Sequence, residues 1–447
     1  SKFARIALKT NDIDFRARVS GKEEGDFLAA KIAGNFDVHY SDIDSADHIL
    51  LVAFEPEEES PIVFLRINKN FKKRGLKVTS VASKGSIAMD KLKADFIKVA
   101  PGAEAAAVAS VALTAKSVIL LGERASESAG LISAALALAE KSGAKLAWIP
   151  RRAGERGALE AGAFPTLLPG GRPVADSAAR VDIAAAWGID SLPAEPGRTT
   201  HQIIEALGNG QLDAVVVGGV DAHDMLHSRT MLNVLKKTFV VSLEIAESTI
   251  TEVADVVLPV AAVTEKSGSF LNWEGRARAF DAAVADSLNR SDVRILSALA
   301  DAMGESIMLG TVSAAAREIA QLGKWDGARA SFAPVAAGSA PTASGDQAVL
   351  TSWRRLLDMG SMQRGEDNLA GTRRPTVAVI SEKRASAAGV VTGDQVRISN
   401  AHGSITLPVL VEDIHDDAVW IPRNSFGSQA LTALDAVHGE LVTVVKA

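Results

Sequence analysis

No cysteine occurs among the 447 residues. That absence excludes disulfides, catalytic thiols, all-thiolate zinc sites and ordinary iron–sulfur ligation within this chain. Aromatic residues are scarce, at 5%, so the cores must be built from aliphatic and small side chains, which favour close helix-on-sheet packing. No block of basic residues stands out, and a net charge of −6 leaves no electrostatic footprint for nucleic acid. No segment approaches the roughly 20 consecutive apolar residues that a spanning helix needs. The longest weakly polar stretch, Ala105–Ala115, is mostly alanine and runs into Lys116. Residues Ser1–Asn11 hold neither the apolar core nor the cleavage pattern of a signal peptide. A start at Ser1 without Met suggests a fragment. Direct membrane insertion is not expected, and any membrane association must come through partner chains.

What is present is the balance of a globular protein, with 47% hydrophobic and 23% charged residues. The length predicts two to four domains. Up to Pro150, apolar runs (Ile49–Phe54, Val78–Ala82, Ser117–Leu121, Leu146–Ile149) alternate with helical patterns such as Pro61–Arg74 and Leu131–Lys141. Strands separated by helices imply βαβ units and a parallel sheet. Pro61 suits a first helical turn, and Gly75 and Gly143 sit where helices should stop. Residues Arg151 to Gly197 break the rhythm with recurring Gly and Pro, which predicts a long ordered loop, packed on a neighbouring chain. The alternation resumes with a helix at Thr199–Leu207, a strand at Asp213–Val217, a helix at Ala222–Lys236 and a strand at Phe239–Leu243. Helices near Asp292–Met303 and Val312–Leu322 follow. Ala, Ser, Gly and Pro dominate Ala328–Gly345, as in a linker. From Pro375 short alternating strands with turns at Gly393-Asp394, Ala401-His402-Gly403 and Asp416-Asp417 predict a small β-barrel. The expected units are therefore residues 1–197 and 198–327 (two α/β subdomains), 328–374 (linker and helix) and 375–447 (barrel).

One stretch carries more than architecture. It reads Ala254-Asp255-Val256-Val257-Leu258-Pro259, then Thr264-Glu265-Lys266-Ser267-Gly268-Ser269-Phe270, then Asn272-Trp273-Glu274-Gly275-Arg276. Proline ends an apolar strand, because it cannot donate to a central ladder. A glycine-punctuated turn then presents a carboxylate, an amide and a guanidinium. This ordered set resembles the molybdopterin oxidoreductase family, in which the segment lies beside the pterin cofactor. The last 70 or so residues resemble that family's cofactor-binding barrel, through Ala385 to Gly389, Val396-Arg397-Ile398-Ser399-Asn400, Gly403, Val419-Trp420-Ile421-Pro422 and Asn424.

Further stretches narrow the resemblance to one branch, the G-type subunit of bacterial, actinobacterial-like NADH:quinone oxidoreductases (respiratory complex I). They are Phe3-Ala4-Arg5, Thr10 to Arg18, Phe54 to Pro61, Pro150 to Ala158 and Leu168-Pro169-Gly170-Gly171. The resemblance implies a molybdopterin oxidoreductase-like (formate dehydrogenase-like) α/β body with a C-terminal barrel. It also implies a structural role in a membrane complex's peripheral arm, on the cytoplasmic face, beside other peripheral-arm subunits. That complex passes electrons from NADH to quinone and translocates protons. The 2Fe-2S and 4Fe-4S clusters of that branch belong to an N-terminal region missing from this chain. No catalytic, cofactor-binding or metal residue is expected here. Ala277 and Arg278 depart from the family, which usually carries an apolar residue and Gln there. The rival reading is a molybdopterin-dependent oxidoreductase whose metal ligand is Ser or Asp.

Four residue groups have the make-up of sites. Asp221, His223, Asp224 and His227 could hold zinc if both histidines shared one helix face. A helix start capped by Asp221 is the favoured reading. Arg151, Arg152 and Arg156, with Gly154 and Gly157, could cradle a phosphate; bridging carboxylates between domains or chains is favoured. Gly122-Glu123-Arg124 and Gly218-Gly219 follow strands where nucleotides bind in α/β folds, yet neither completes a G-x-G-x-x-G motif. Glu265, Asn272, Glu274 and Arg276 could supply acid–base chemistry if buried, and are read instead as a buried polar network fixing a turn.

Overall fold

The computed structural model describes residues 1–284 and 287–447. Its first unit is a parallel five-stranded sheet built from β1 (His48–Val52), β2 (Lys77–Ala82), β3 (Asp95–Lys98), β4 (Ser117–Gly122) and β5 (Lys145–Ile149). The spatial order is β3-β2-β1-β4-β5. β-Branched and leucine-rich runs form the central strands because both faces are covered by helices. Leu50, Val52, Ile119 and Leu121 pack on one side with Leu131, Ile132 and Ala135 of the helix Leu131–Ser142. Ile49, Leu51, Val118 and Leu120 pack on the other with Val63, Phe64 and Ile67 of the helix Pro61–Arg74. Gly75 ends that helix in the left-handed conformation (φ 69°), which costs glycine nothing.

Residues Arg151–Gly197 are ordered, but differ from a bare loop. They hold the helix Glu155–Glu160, the two-residue strands β6 (Leu167–Leu168) and β7 (Arg172–Pro173), and the helix Ser177–Trp187 capped by Asp176. Their apolar side chains are covered within this chain rather than by a neighbouring one: Leu159, Phe164, Leu167 and Leu168 are buried. Arg5, from the N-terminal turn, donates to the carbonyls of Gly162, Phe164 and Leu167 at 2.8–3.1 Å. These bonds satisfy a run of backbone that no sheet covers.

The second α/β unit carries a three-stranded parallel sheet, in the order β10-β9-β8, from β8 (Ala214–Gly218), β9 (Phe239–Glu244) and β10 (Val256–Pro259). The hairpin β11 (Gly268–Leu271) and β12 (Ala277–Phe280) follows. The expected helix Ala222–Lys236 is two pieces, a 3-10 turn Ala222–Asp224 and a helix Ser228–Leu235. They are separated at His227, whose φ is +55°. A left-handed residue cannot continue a right-handed helix.

Residues 328–345, expected as a linker, form a strap against the first unit. Arg329 Nε donates to the Ala30 carbonyl at 3.0 Å, Val335 N to Ser133 Oγ at 2.9 Å and Gly338 N to the Ala129 carbonyl at 3.0 Å. The six-stranded closed barrel then begins with β13 (Gln347–Trp353), ahead of the alternation that starts at Pro375. It continues through β14 (Ala378–Ile380), β15 (Gln395–Ser399), β16 (Ser404–Val411) and β17 (Ala418–Pro422). A short pair, β18 (Asn424–Ser425) and β19 (Ser428–Gln429), precedes its last strand, β20 (Leu441–Lys446). The order β13-β17-β14-β16-β15-β20 leaves no open edge. Val396, Ile398, Ile405, Leu407 and Val409 point inward, in the period-2 pattern of a strand with one buried face.

Candidate functional site

The strand order of the first sheet reverses between β1 and β4. Ligands of open α/β sheets bind in the crevice beyond the carboxyl ends of two such strands. Here the segments leaving those ends are acidic. Ala53-Phe54-Glu55 leads from β1 into the turn Pro56–Glu59, and Glu123 to Glu127 follows β4. The barrel faces this crevice with Trp353, Arg354, Arg423 and His438. Arg18 reaches in from the N-terminal segment, Arg151 and Arg152 from the turn after β5, and Asp224 from the second α/β unit. All three units meet at this place.

The meeting is ionic and closely paired. Arg423 donates to both oxygens of Glu127 at 2.7 and 2.5 Å. Arg124 grips Glu59 at 2.8 and 3.1 Å. Arg18 holds Glu155 at 2.8 Å and Glu24 at 2.8 Å. Arg354 pairs with Asp358 at 2.7 Å and also contacts Asp224, which Arg152 bonds too. Arg151 lies 3.6 Å from Glu123. Burial works against the charge of Glu123, but Arg18, Arg151, Arg152 and Arg354 hold its carboxyl down at about 2. Burial lowers Arg354 to about 10, so it remains a cation at neutral pH.

Glu55 is different. Burial pushes its carboxyl up to about 7, against the Ser86 hydroxyl that donates to it at 2.5 Å and with Glu59 and Glu58 nearby. Beside it runs a relay from Thr351 Oγ1 through His438 to Glu104, with separations of 3.1 and 2.8 Å. Hydrogen bonds from His438 and Ser128 outweigh burial and keep Glu104 below its ordinary range. Its carboxylate therefore accepts from His438 Nε2–H. Hydroxyl, imidazole and carboxylate stand in the order of a nucleophilic triad, but Thr351 is 2% exposed on a barrel strand. The relay ties barrel to body rather than presenting a nucleophile.

The groups read from sequence fare unequally. Arg151 and Arg152 do reach the crevice, but only Arg152 bridges units, through Asp224; Arg151 faces Glu123 within its own unit. Arg156 is buried elsewhere, donating to the carbonyls of Trp273, Ile32 and Asn35. Asp221 caps a turn and accepts from His223 Nδ1 at 3.0 Å, whereas His227 turns to Asp435 at 2.7 Å. The two histidines thus share no helix face. Among the described residues no group of three or more His, Asp or Glu side chains is placed to hold a metal. Gly122 serves close packing, since a Cβ there would lie 2.4 Å from the Ala53 carbonyl oxygen. Gly218-Gly219 ends β8 without forming a phosphate loop.

The expected buried network of Glu265, Asn272, Glu274 and Arg276 is corrected by the structure. Only Glu274 is buried; it accepts from Tyr40 N at 2.8 Å and from Asn272 at 3.2 Å. Arg276 reaches it at 3.2 Å from an exposed position. Glu265 lies apart and accepts from Ala262 N, Ser287 and Asn289. The hairpin's solvent side opens the set that sequence spacing groups together.

The family model for molybdopterin oxidoreductase matches residues 5–302. The chain belongs to the molybdopterin oxidoreductase family. A second model, the molydopterin dinucleotide binding domain, matches residues 349–443, which is the barrel. The G-type subunit of the NADH-quinone oxidoreductase of Mycobacterium tuberculosis is 48% identical over 99% of this chain and 57% of its own length. Its Streptomyces coelicolor counterpart is 44% identical, again over 99% and 57%. The chain therefore spans little more than half the length of those relatives. Acetylene hydratase from Pelobacter acetylenicus has the same fold, with a TM-score of 0.55 at 12% identity, covering 95% of this chain and 80% of that one.

Molybdopterin oxidoreductases imply an anionic pterin nucleotide between body and barrel, and its fit rests on charge. Six arginines line or border the crevice (Arg18, Arg124, Arg151, Arg152, Arg354, Arg423), and seven carboxylates meet them (Glu24, Glu59, Glu123, Glu127, Glu155, Asp224, Asp358). Among the described residues no cationic surplus is left here for phosphates. The clefts on this seam measure about 500 and 380 Å³, counted with the solvent at their mouths. Cysteine and selenocysteine ligation is excluded by composition. The residues present do not fit the cofactor.

Proposed function

We propose that this chain is the structural, molybdopterin-free part of the G-type subunit in a respiratory NADH:quinone oxidoreductase. It stands in the peripheral arm at the cytoplasmic face of the membrane, against other peripheral-arm subunits. In this reading the machine passes electrons from NADH to quinone with proton translocation, through 2Fe-2S and 4Fe-4S clusters carried outside this chain. The observation that carries it is the identity of 48% to the mycobacterial G-type subunit across 99% of the chain. The charge balance of the crevice, in which carboxylates outnumber the arginines they meet, supports a three-way joint rather than an anion-binding site.

Among the described residues no helix is long and apolar enough to cross a membrane, which accords with attachment through partners. The reading is tested by tagging the chain in its native host. NADH:quinone oxidoreductase activity should be recovered with it, and molybdenum and tungsten, read by mass spectrometry, should stay far below one per chain. Stoichiometric molybdenum or tungsten would favour the molybdopterin-dependent oxidoreductase instead.

A further inference from the structure

The helix Pro61–Arg74 buries Val63, Phe64, Ile67 and Asn70 against the first sheet. Its opposite side follows the spacing i, i+3, i+7, i+10 with Ile62, Leu65, Lys69 and Lys72, all exposed. At about 1.5 Å per residue this strip is roughly 15 Å long. Ile62 is 59% and Leu65 55% exposed, which makes the N-terminal half of the strip aliphatic. Its C-terminal half is cationic and widens to Lys73 and Arg74. Lys93 lies at the same end of the sheet, where Ala94 and Phe71 pack on one cluster.

Neighbouring cations are paired: Arg66 with Asp44, Lys77 with Asp95 and Lys91 with Glu57. Lys69, Lys72, Lys73, Arg74 and Lys93 have no carboxylate partner among the described residues. Five uncompensated cations on a chain of net charge −6 form a local field of the opposite sign. The helix dipole favours cations in the last turn, but it gives no reason for Lys93 on another element, nor for two large aliphatic side chains left in water.

We infer that this strip is a docking surface for an acidic face of a neighbouring polypeptide, with Ile62 and Leu65 as its apolar anchors and the five cations as its charged half. The inference rests on the proposed scaffold role and names the chemistry of one of its contacts. A lipid surface fits less well. The helix has already spent its apolar face on the sheet, and two aliphatic residues without an aromatic one are too few for interfacial insertion. An anionic bilayer would also meet a chain that is negative overall. Complementary charge guides such an association, and a rim of opposite charges sets its register.

The test uses the full-length protein in its native complex. The variant Lys69→Glu/Lys72→Glu/Lys73→Glu alters only exposed side chains. Recovery of partner subunits with the tagged chain, near physiological salt, should fall about tenfold. A photo-crosslinking residue at position 65 of the otherwise unchanged chain should label an Asp/Glu-rich segment of another polypeptide. Undiminished recovery with no polypeptide adduct at position 65 overturns this inference and leaves the scaffold role standing. Flotation of the unaltered chain with phosphatidylglycerol vesicles, lost in the triple variant, would assign the strip to lipid and overturn it as well. If the unaltered chain recovers no NADH:quinone oxidoreductase activity, the scaffold role falls first and this surface with it.

Discussion

The two α/β units use the same construction, parallel strands joined by helices, and bury it very differently. In the first, every residue of β4 is buried, as are Ile49 to Val52 of β1. In the second, Val256, Val257 and Pro259 of β10 are exposed, and neither Ala214 nor Gly218 at the ends of β8 is covered. Parallel sheets ordinarily need cover on both faces. The first unit obtains it from its own helices and, on one face, from Ala330 and Phe332 of the strap 328–345. The second leaves apolar surface in water, including Phe239 at 51% exposed. The first unit is thus the rigid centre to which the barrel is clamped by ion pairs, and the second is the looser appendage.

The largest expected effect breaks the clamped side. Arg18→Ala removes the ion-pair partner of Glu155 and the nearer of two facing Glu24, which keeps only Arg16 at 3.8 Å; Arg18, Glu24 and Glu155 are all buried. Leaving the buried Glu155 carboxylate without its ion-pair partner costs about 3–5 kcal/mol, so a large drop in the denaturation midpoint is expected. A midpoint within a degree of the parent would show that this network inside the first unit is relaxed by water.

Next comes a matched pair of truncations. Leu120→Ala in β4, at a fully buried position, should cost about 2–5 kcal/mol. Val257→Ala in β10, at 43% exposure, should stay within about 1 kcal/mol. Chemical denaturation of both variants measures the contrast, and equal losses would abolish the distinction between the units. Hydrogen exchange sharpens it further: amides of β8 to β10 should exchange well ahead of those of β1, β2 and β4.

A smaller effect concerns Glu55. Its folded pKa of about 7 lies above the ordinary 4.5, so the folded state binds the extra proton. The stability that this proton contributes is complete below about pH 4.5 and is lost as pH rises through 7. Glu24 and Glu160 are shifted upward too, chiefly by burial. Their contributions share the sign, so the comparison must be made against a variant. Glu55→Gln should flatten the decline of stability between pH 4.5 and 7 by up to about 1.4 kcal/mol per pH unit. Glu123, held at about 2, loses its contribution only as pH falls below about 4.5, outside that window. Parallel pH curves for parent and variant would show that Glu55 is ionised in the fold.

How much of this is legible in the sequence depends on burial. Strands with continuous apolar runs, such as Ile49–Val52 and Ser117–Leu121, announce themselves, and the helix Pro61–Arg74 is bounded by its proline and glycine. β3 is invisible, because Asp95-Phe96-Ile97-Lys98 is a short edge strand with charged ends and no periodic signal. The break at His227 is hidden too, since a positive φ in a non-glycine residue leaves no mark in composition. β13 escapes notice because it follows the Ala/Ser/Gly/Pro-rich strap and precedes an irregular arginine-rich excursion. The crevice is only partly visible in the sequence: Glu123, Arg124, Arg151, Arg152 and Asp224 stand out there, but their convergence with Arg18, Arg354 and Arg423 does not. Its arginines and carboxylates come from positions between 18 and 423; many pair within their own unit, and docking adds the pairs of Arg423 with Glu127 and of Arg152 and Arg354 with Asp224. The resemblance to the molybdopterin oxidoreductase family is legible because ordered motifs survive where pairings do not.

The smallest predicted effect lies in the motif that carries that resemblance, and it separates a buried member from an exposed one. Arg276 approaches Glu274 from the surface, its side chain 57% exposed. Exposed ion pairs are screened by solvent, and their median contribution is about 0–1 kcal/mol. Glu274 keeps other partners without it, accepting from Tyr40 N and Asn272. Arg276→Ala should therefore shift stability by no more than about 1 kcal/mol. Glu274→Ala should cost more, because the Tyr40 amide loses its acceptor and a buried volume beside Trp273 opens; about 1–3 kcal/mol is the usual cost of an orphaned buried donor. Thermal unfolding of the two variants measures the gap. An Arg276→Ala loss equal to that of Glu274→Ala would mean that the guanidinium is covered in solution, and the hairpin β11–β12 would then belong with the clamped region rather than with the exposed one.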